Sequence, residues 1–213
     1  MLLDFDGTVV DSLGLIYQCL DDTAKEQLGV PFPRMLWENH IGRPLADTFA
    51  LLGPEAQARS ELLVQAYRRL QAARSDQICA FPGMAETLDV LRSRGVRLAI
   101  VTTKMNHIAR QHLLSAGLDR HFEVVIGVDD CRAPKPNPEP FRTAMRALGV
   151  APAACLGVGD TALDIHAARA AGVETVAALW SGIAINHLLA AEPDHVLHHP
   201  REILSLLGPS PTP

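Results

Sequence analysis

The 213 residues predict an α/β fold, a doubly wound, mostly parallel three-layer sheet domain with an inserted small α-helical cap. Three observations predict it. Across residues 81–179, short apolar runs alternate with longer stretches of helical period, the pattern of a parallel sheet covered on both faces. The opening apolar run, residues 1–5, stands far from the next, at 96–101. Between them the chain carries helix-period residues and no convincing strand, and a structureless loop of that length is implausible. Residues 13–80 are therefore expected as an insertion between the first two core strands.

In order, residues 1–5 read as a short buried strand ending in a turn at Gly7-Thr8. After Asp11-Ser12, Leu13, Ile16, Leu20, Ala24 and Leu28 recur at three- and four-residue steps, one apolar helix face that Gly29 and Pro31 stop. Further helices are expected at 44–52 and 55–74. Pro82-Gly83 precedes a helix at 84–94, then a strand at 96–101 and a helix at 106–115. A strand at 122–126, a helix at 138–148, a strand at 154–158, a helix at 162–171 and a strand at 174–179 complete the alternation. Residues 195–197 read as an edge strand and 201–207 as a terminal helix. The proline-rich end, 209–213, predicts an irregular tail. The expected division is a catalytic core of 1–12 and 81–208 around a cap of 13–80. Only three residues precede Asp4, so the first strand offers few ladder bonds, and the start reads as truncated or shifted.

Composition narrows the functional classes. The chain is 48% apolar, 20% charged and carries net charge −5. A nucleic-acid surface wants a concentrated basic field, which this balance does not supply. No run approaches a membrane span, and the apolar start is too short for a signal peptide. Cys19, Cys79, Cys131 and Cys155 are widely spaced without a CxxC pattern, which reads as reduced thiols in a cytoplasmic protein. The helix faces are compatible with a monomer or a homodimer.

In a doubly wound sheet, ligands sit beyond the carboxyl ends of the strands. Four polar groups fall there: Asp4-Phe5-Asp6-Gly7-Thr8, Thr102-Thr103-Lys104, Lys135 between two prolines, and Gly159-Asp160 with Asp164. Singly, each has a bland role as an end-of-strand carboxylate, a turn former or a helix cap. Together they crowd like charges, which is unfavourable unless a cation compensates. Hard oxygen ligands of this kind suit Mg²⁺, and Mg²⁺ meets phosphate. The expected roles are Asp4 as nucleophile, Asp6 as general acid and then base, and Thr102 and Lys135 as holders of the phosphoryl group. Asp4, Asp6, Asp160 and Asp164 form the expected metal set. A calcium loop starting at Asp4 fails, because Leu15 stands at its twelfth position.

These motifs, in this order and spacing, resemble the haloacid dehalogenase-like hydrolase superfamily over nearly the whole chain. The resemblance implies a capped, Mg²⁺-dependent hydrolase that works through a phosphoaspartyl intermediate. Asp6 sets the chain apart from the true dehalogenases, Ile16 stands where the sugar-phosphate mutases carry a hinge histidine, and Lys25 is the only lysine in the cap, against the phosphonate-cleaving branch. The texture is most similar to phosphoglycolate phosphatases and related pyrophosphatases. Ile41-Gly42-Arg43-Pro44-Leu45 resembles their substrate loop. Gly7, Thr8, Arg43, Thr103 and Asn137 are then the implied substrate contacts. A small monoester like phosphoglycolate is the expected substrate, with pyrophosphate as the alternative. A mutase and a non-catalytic phosphate binder rank below both. A signalling receiver shares Asp, Thr and Lys on such a sheet, but its acceptor follows a later strand. His107, His112 and His121 fit surfaces, and His195, His198 and His199 form the densest histidine group without a metal partner set.

Overall fold

The computed structural model describes residues 1–208; the expected irregular tail lies outside them. The chain opens with β1 (Leu2–Leu3) and β2 (Val10–Asp11), then enters the cap helices α1 (Leu13–Leu28), α2 (Arg34–Glu38), α3 (Leu45–Ala50), α4 (Pro54–Ala58) and α5 (Ser60–Ala73). It returns through β3 (Cys79–Ala80) to α6 (Met84–Ser93), β4 (Ala99–Val101), α7 (Asn106–Ser115) and β5 (Val124–Ile126). The remaining elements are α8 (Glu139–Leu148), β6 (Leu156–Gly159), α9 (Ala162–Ala170), β7 (Glu174–Ala178), α10 (Ile185–Leu189) and β8 (His195–Leu197).

Six strands form one sheet in the order β5-β4-β1-β6-β7-β8, and every pairing in it is parallel. The shortest segment therefore sits in the middle. Leu2 pairs with Ala99 and Gly157, Leu3 with Ile100 and Val158. Flanking amides lengthen the register: Asp4 N–H donates to Val158 O (2.8 Å) and Ala99 N–H to Met1 O (3.0 Å). Successive strand side chains point to opposite faces, so the two leucines divide the core. Leu2 packs with Phe141, Met145 and Leu148 of α8 and with Ala167 and Ala168 of α9, whereas Leu3 joins Met84, Leu88 and Leu91 of α6 and Ala109 and Leu113 of α7. Both leucines are fully buried, which compensates for the few ladder bonds of this strand.

The cap is held by its own aromatic contacts. Phe49 sits edge-on between Phe32 and Tyr67, with centroids 6.2 and 6.3 Å away, and Tyr17 meets Trp37 at 5.3 Å. The cap helices lie between two chain crossings that pair with each other: β2 and β3 form an antiparallel ribbon with Val10 opposite Ala80 and Asp11 opposite Cys79. The sequence reading expects no strand in this stretch, and two-residue strands are too short to show an alternation.

Other differences have similar causes. The expected helix at 55–74 is two helices broken at Arg59 (φ −103°). The five-residue α2 and α10 span barely more than one turn, so they carry no readable period. Residues 200–206 are a 3₁₀ helix. The strands are shorter than their apolar runs, because residues such as Leu98 bury their side chains without joining the ladder. His112 and His121, expected at the surface, are 2% and 1% exposed. None of the helices among the described residues is long and apolar enough to cross a membrane, and the four cysteines are free thiols.

Candidate active site

Each group singled out in the sequence leaves the sheet at its carboxyl edge. Asp4 follows β1, Thr102 follows β4, Asp160 follows β6, and Lys135 comes from the loop after β5. Lys135 is the knot. Its Nζ donates to Asp4 Oδ1 (2.7 Å), to the Val101 carbonyl (3.0 Å) and to Asp164 Oδ1. An ammonium has three donors, so all of them are used inside the protein. Lys135 thus fixes Asp4 and brings its positive charge to the strand ends.

The carboxylates are unequal. Asp164 Oδ1 accepts from Lys135, and its Oδ2 from both the amide and the hydroxyl of Thr161. This is a capping box at the start of α9, and it leaves Asp164 with both oxygens engaged. Asp160 Oδ1 accepts from Thr8 Oγ1 (2.8 Å). Asp4 and Asp160 each keep their second oxygen without a protein partner among the described residues.

Asp4, Asp160 and Asp164 present ligand atoms that all lie within 4.8 Å of one another, at 8%, 2% and 2% exposure. Three carboxylates against one lysine leave excess negative charge in a dry place. Burial pushes the Asp4 carboxyl up to about 7 despite Lys135, and burial with the Asp4 and Asp164 charges pushes Asp160 well above the usual carboxylate range. Burial opposes the Lys135 charge too, yet Asp164 and Asp4 outweigh it and hold its pKa above the ordinary lysine value. A further cation would relieve the surplus, and hard oxygen donors fit a hard divalent ion.

Asp6 does not join this cluster. The turn swings it away: Gly7 N–H donates to Val10 O (3.0 Å), Asp6 bridges to Val10, and Gly7 takes φ +81°. A Cβ on Gly7 would come within 2.1 Å of Asp160 Oδ2, so glycine is required twice over here. Asp6 Oδ1 accepts from Ser12 Oγ (2.6 Å), and its Oδ2 faces Lys104 Nζ at 3.1 Å. The Asp6 side chain thus stands apart from the Asp4, Asp160 and Asp164 carboxylates, in the lining of the cleft.

The cleft lies between core and cap, with a cavity volume of about 280 Å³. Asp4, Asp6, Thr102, Thr103 and Arg43 all line it. Thr102 Oγ1 accepts from the Lys104 amide (3.1 Å), which leaves its own hydrogen for a ligand. Three implied substrate contacts, Gly7, Thr8 and Asn137, are not part of its lining. Thr8 is fully buried and spends its hydroxyl on Asp160. Asn137 is exposed and caps α8, its Oδ1 accepting from Glu139 N–H (2.9 Å).

The sequence reading also leaves residues unassigned that the cleft contains: Lys104, Tyr67, Arg68 and Gln71. Lys104 stands inside a motif already noticed but carries no role there. Tyr67, Arg68 and Gln71 recur with Val64 at a helical spacing, and that polar stripe on an otherwise apolar face was the available signal.

A family description, haloacid dehalogenase-like hydrolase, matches residues 1–178. The chain belongs to the haloacid dehalogenase-like hydrolases. It is a phosphohydrolase of this family with an aspartate-based site and an inserted helical cap. Among curated relatives, "Pyrophosphatase PpaX" of Oceanobacillus iheyensis is 34% identical over 99% of this chain and 97% of its own length. The protein of the same name from Anoxybacillus flavithermus is 34% identical over 98% and 96%. Among solved structures, a haloacid dehalogenase-like hydrolase from Streptococcus pneumoniae superposes with TM-score 0.83 at 27% identity, covering 96% of this chain and 95% of its own. A Lactobacillus plantarum protein, named as a proposed phosphoglycolate phosphatase, gives TM-score 0.86 at 26% identity and covers 97% of both chains.

Proposed function

We propose that this hydrolase cleaves inorganic pyrophosphate, with Asp4 as the nucleophile and Mg²⁺ as the cofactor. One observation carries the choice of an anionic leaving group. The cap loop brings Arg43 to the cleft that Asp4 and Asp6 line, and this guanidinium makes no ion pair with a carboxylate among the described residues. A positive group there favours a leaving group that carries negative charge, as phosphate and glycolate both do, over a neutral alcohol. The names of the curated relatives support pyrophosphate over the phosphoglycolate-like monoester that the sequence alone ranks first. The Lactobacillus neighbour supports phosphoglycolate as the second reading.

Asp160, through its unpartnered oxygen, would hold the metal together with Asp4 Oδ1, while Asp164 orients Lys135 and Thr161 around them. When bound, Mg²⁺ supplies the positive charge that lets a carboxylate approach a phosphate anion. The chain's own residues carry the remaining steps. Lys135 fixes Asp4 Oδ1, which leaves Oδ2 to attack phosphorus, and the bond to the bridging oxygen breaks as the second phosphate departs. Thr102 donates its hydroxyl hydrogen to a phosphoryl oxygen. Asp6, held by Ser12 and Lys104, passes a proton to the bridging oxygen when protonated. It then takes one from the water that attacks the aspartyl phosphate, which regenerates Asp4 and releases the transferred phosphoryl group as phosphate.

A kcat/KM panel over pyrophosphate, phosphoglycolate and an aryl phosphate tests the substrate, with pyrophosphate expected to lead. Asp4→Asn should lower kcat on all of them by at least about 100-fold. Near-normal turnover in that variant would reject the nucleophile, and a lead for phosphoglycolate would reject the substrate.

A further inference from the structure

Helix α5 presents Val64, Tyr67, Arg68 and Gln71 to the cleft, spaced i, i+3, i+4 and i+7, which places them on one helix face. Ala66 and Leu63 of the same helix are buried in the cap. A cap helix that only had to pack would continue that apolar character towards the core. Three polar side chains line the cavity instead.

Their contacts point to a ligand. Gln71 Nε2 donates to Tyr67 Oη (2.9 Å), with both residues buried, and the phenolic hydrogen meets no acceptor among the described residues. Arg68 forms no ion pair with a carboxylate among them, although Arg34, Arg59 and Arg74 of the same cap each pair with an acid. Across the cavity Lys104, whose side chain is 8% exposed, faces Asp6 at 3.1 Å. The three cations Arg43, Arg68 and Lys104 thus line one cavity whose floor carries Asp4.

We propose that Arg68, with the Tyr67 hydroxyl and Lys104, forms a second phosphate subsite that binds the leaving half of the substrate. This rests on the pyrophosphate reading and deepens it. The Arg68 guanidinium presents a fork matched to two phosphate oxygens. Tyr67 adds a neutral donor, and Gln71 fixes its ring by holding the hydroxyl oxygen. Lys104 exchanges its contact with Asp6 for one with the departing phosphate, so charge that builds on that phosphate during bond breaking meets a fixed cation.

The experiment compares Arg68→Ala, Arg68→Lys and wild type on pyrophosphate and on p-nitrophenyl phosphate, whose leaving group has no second phosphate. Arg68 is solvent-exposed at the cavity mouth, so its replacement leaves the fold intact, and circular dichroism checks this. The ratio of kcat/KM for pyrophosphate to that for p-nitrophenyl phosphate is expected to fall about 10- to 100-fold in Arg68→Ala, the scale of a lost charge-assisted hydrogen bond. Arg68→Lys is expected to recover part of it. A ratio that stays within about twofold of wild type overturns the subsite. Should wild type fail to hydrolyse pyrophosphate, the substrate reading falls, and the subsite is then judged by inhibition. Pyrophosphate should inhibit p-nitrophenyl phosphate hydrolysis with a Ki at least about tenfold weaker in Arg68→Ala. An unchanged Ki rejects the subsite.

Discussion

The two walls of the cleft are built on opposite principles. On the core wall, Asp4, Lys135, Asp160 and Asp164 are almost fully buried, and each has at least one polar partner within the protein. On the cap wall, Arg43 and Arg68 are exposed and make no ion pair among the described residues. A buried charge must be matched in advance, because its desolvation is not otherwise repaid. An exposed one can wait for its ligand. The core wall is thus fixed for one chemical step, whereas the cap wall is left open for recognition.

The largest test breaks the core wall. Lys135→Ala leaves Asp4 and Asp164 buried without their cation, and urea denaturation above neutral pH should show a loss of about 3–5 kcal/mol. A loss below about 1 kcal/mol would mean the wall is not matched in this way. Beneath it, His112 stacks on Phe5, with ring centroids 6.4 Å apart. Burial, helped by the Lys104 charge, lowers its pKa from 6.5 to about 4. The unfolded chain takes up a proton below about 6.5 that the folded chain refuses until about 4. Stability is therefore fullest above that window and falls as pH drops through it, by at most about 3 kcal/mol. Comparing His112→Phe with wild type near pH 7.5 and near pH 5 should show a shallower fall in the variant; equal falls would remove this role.

Thr8→Val removes the hydroxyl that orients Asp160 while keeping its shape. Mg²⁺ affinity measured by calorimetry should weaken about 10- to 100-fold, as for other partners of metal ligands, and unchanged affinity would refute the orientation. The smallest effect belongs to the cap. Gly42 takes φ +88°, and a Cβ there would lie 3.2 Å from Leu163 Cδ1 and 3.3 Å from Thr161 Oγ1, where the cap loop meets the turn after β6. Gly42→Ala should cost about 1–2 kcal/mol in that conformation, which lowers the urea midpoint, and should also raise KM because the same loop carries Arg43. A lowered midpoint with normal KM would make it a structural position instead.

The same division explains what was legible in the sequence. The core wall was readable because Asp4, Thr102 and Asp160 follow strand ends and Lys135 lies in the loop after another, where topology brings residues together. The cap wall was readable only at Arg43; Arg68 reaches the cleft through the way α1 and α5 pack, which no motif encodes. Asn137 misled for a related reason. Its neighbourhood in sequence was right, but the start of α8 engages its side chain, with Oδ1 accepting from Glu139 N–H. The two histidines show the limit of local pattern: His112 lies on a helix with polar neighbours, and only the Phe5 ring behind it explains its burial.

The paired crossings have one more consequence. A panel hung on two adjoining strips swings about a single line, as a door does. Here the strip at Val10 also carries the bridge to Asp6, and Ser12, one step beyond Asp11, holds that carboxylate. Asp6 thus shares one short stretch of backbone with the ribbon that joins cap to core, so a movement of that ribbon would carry the Asp6 carboxylate with it.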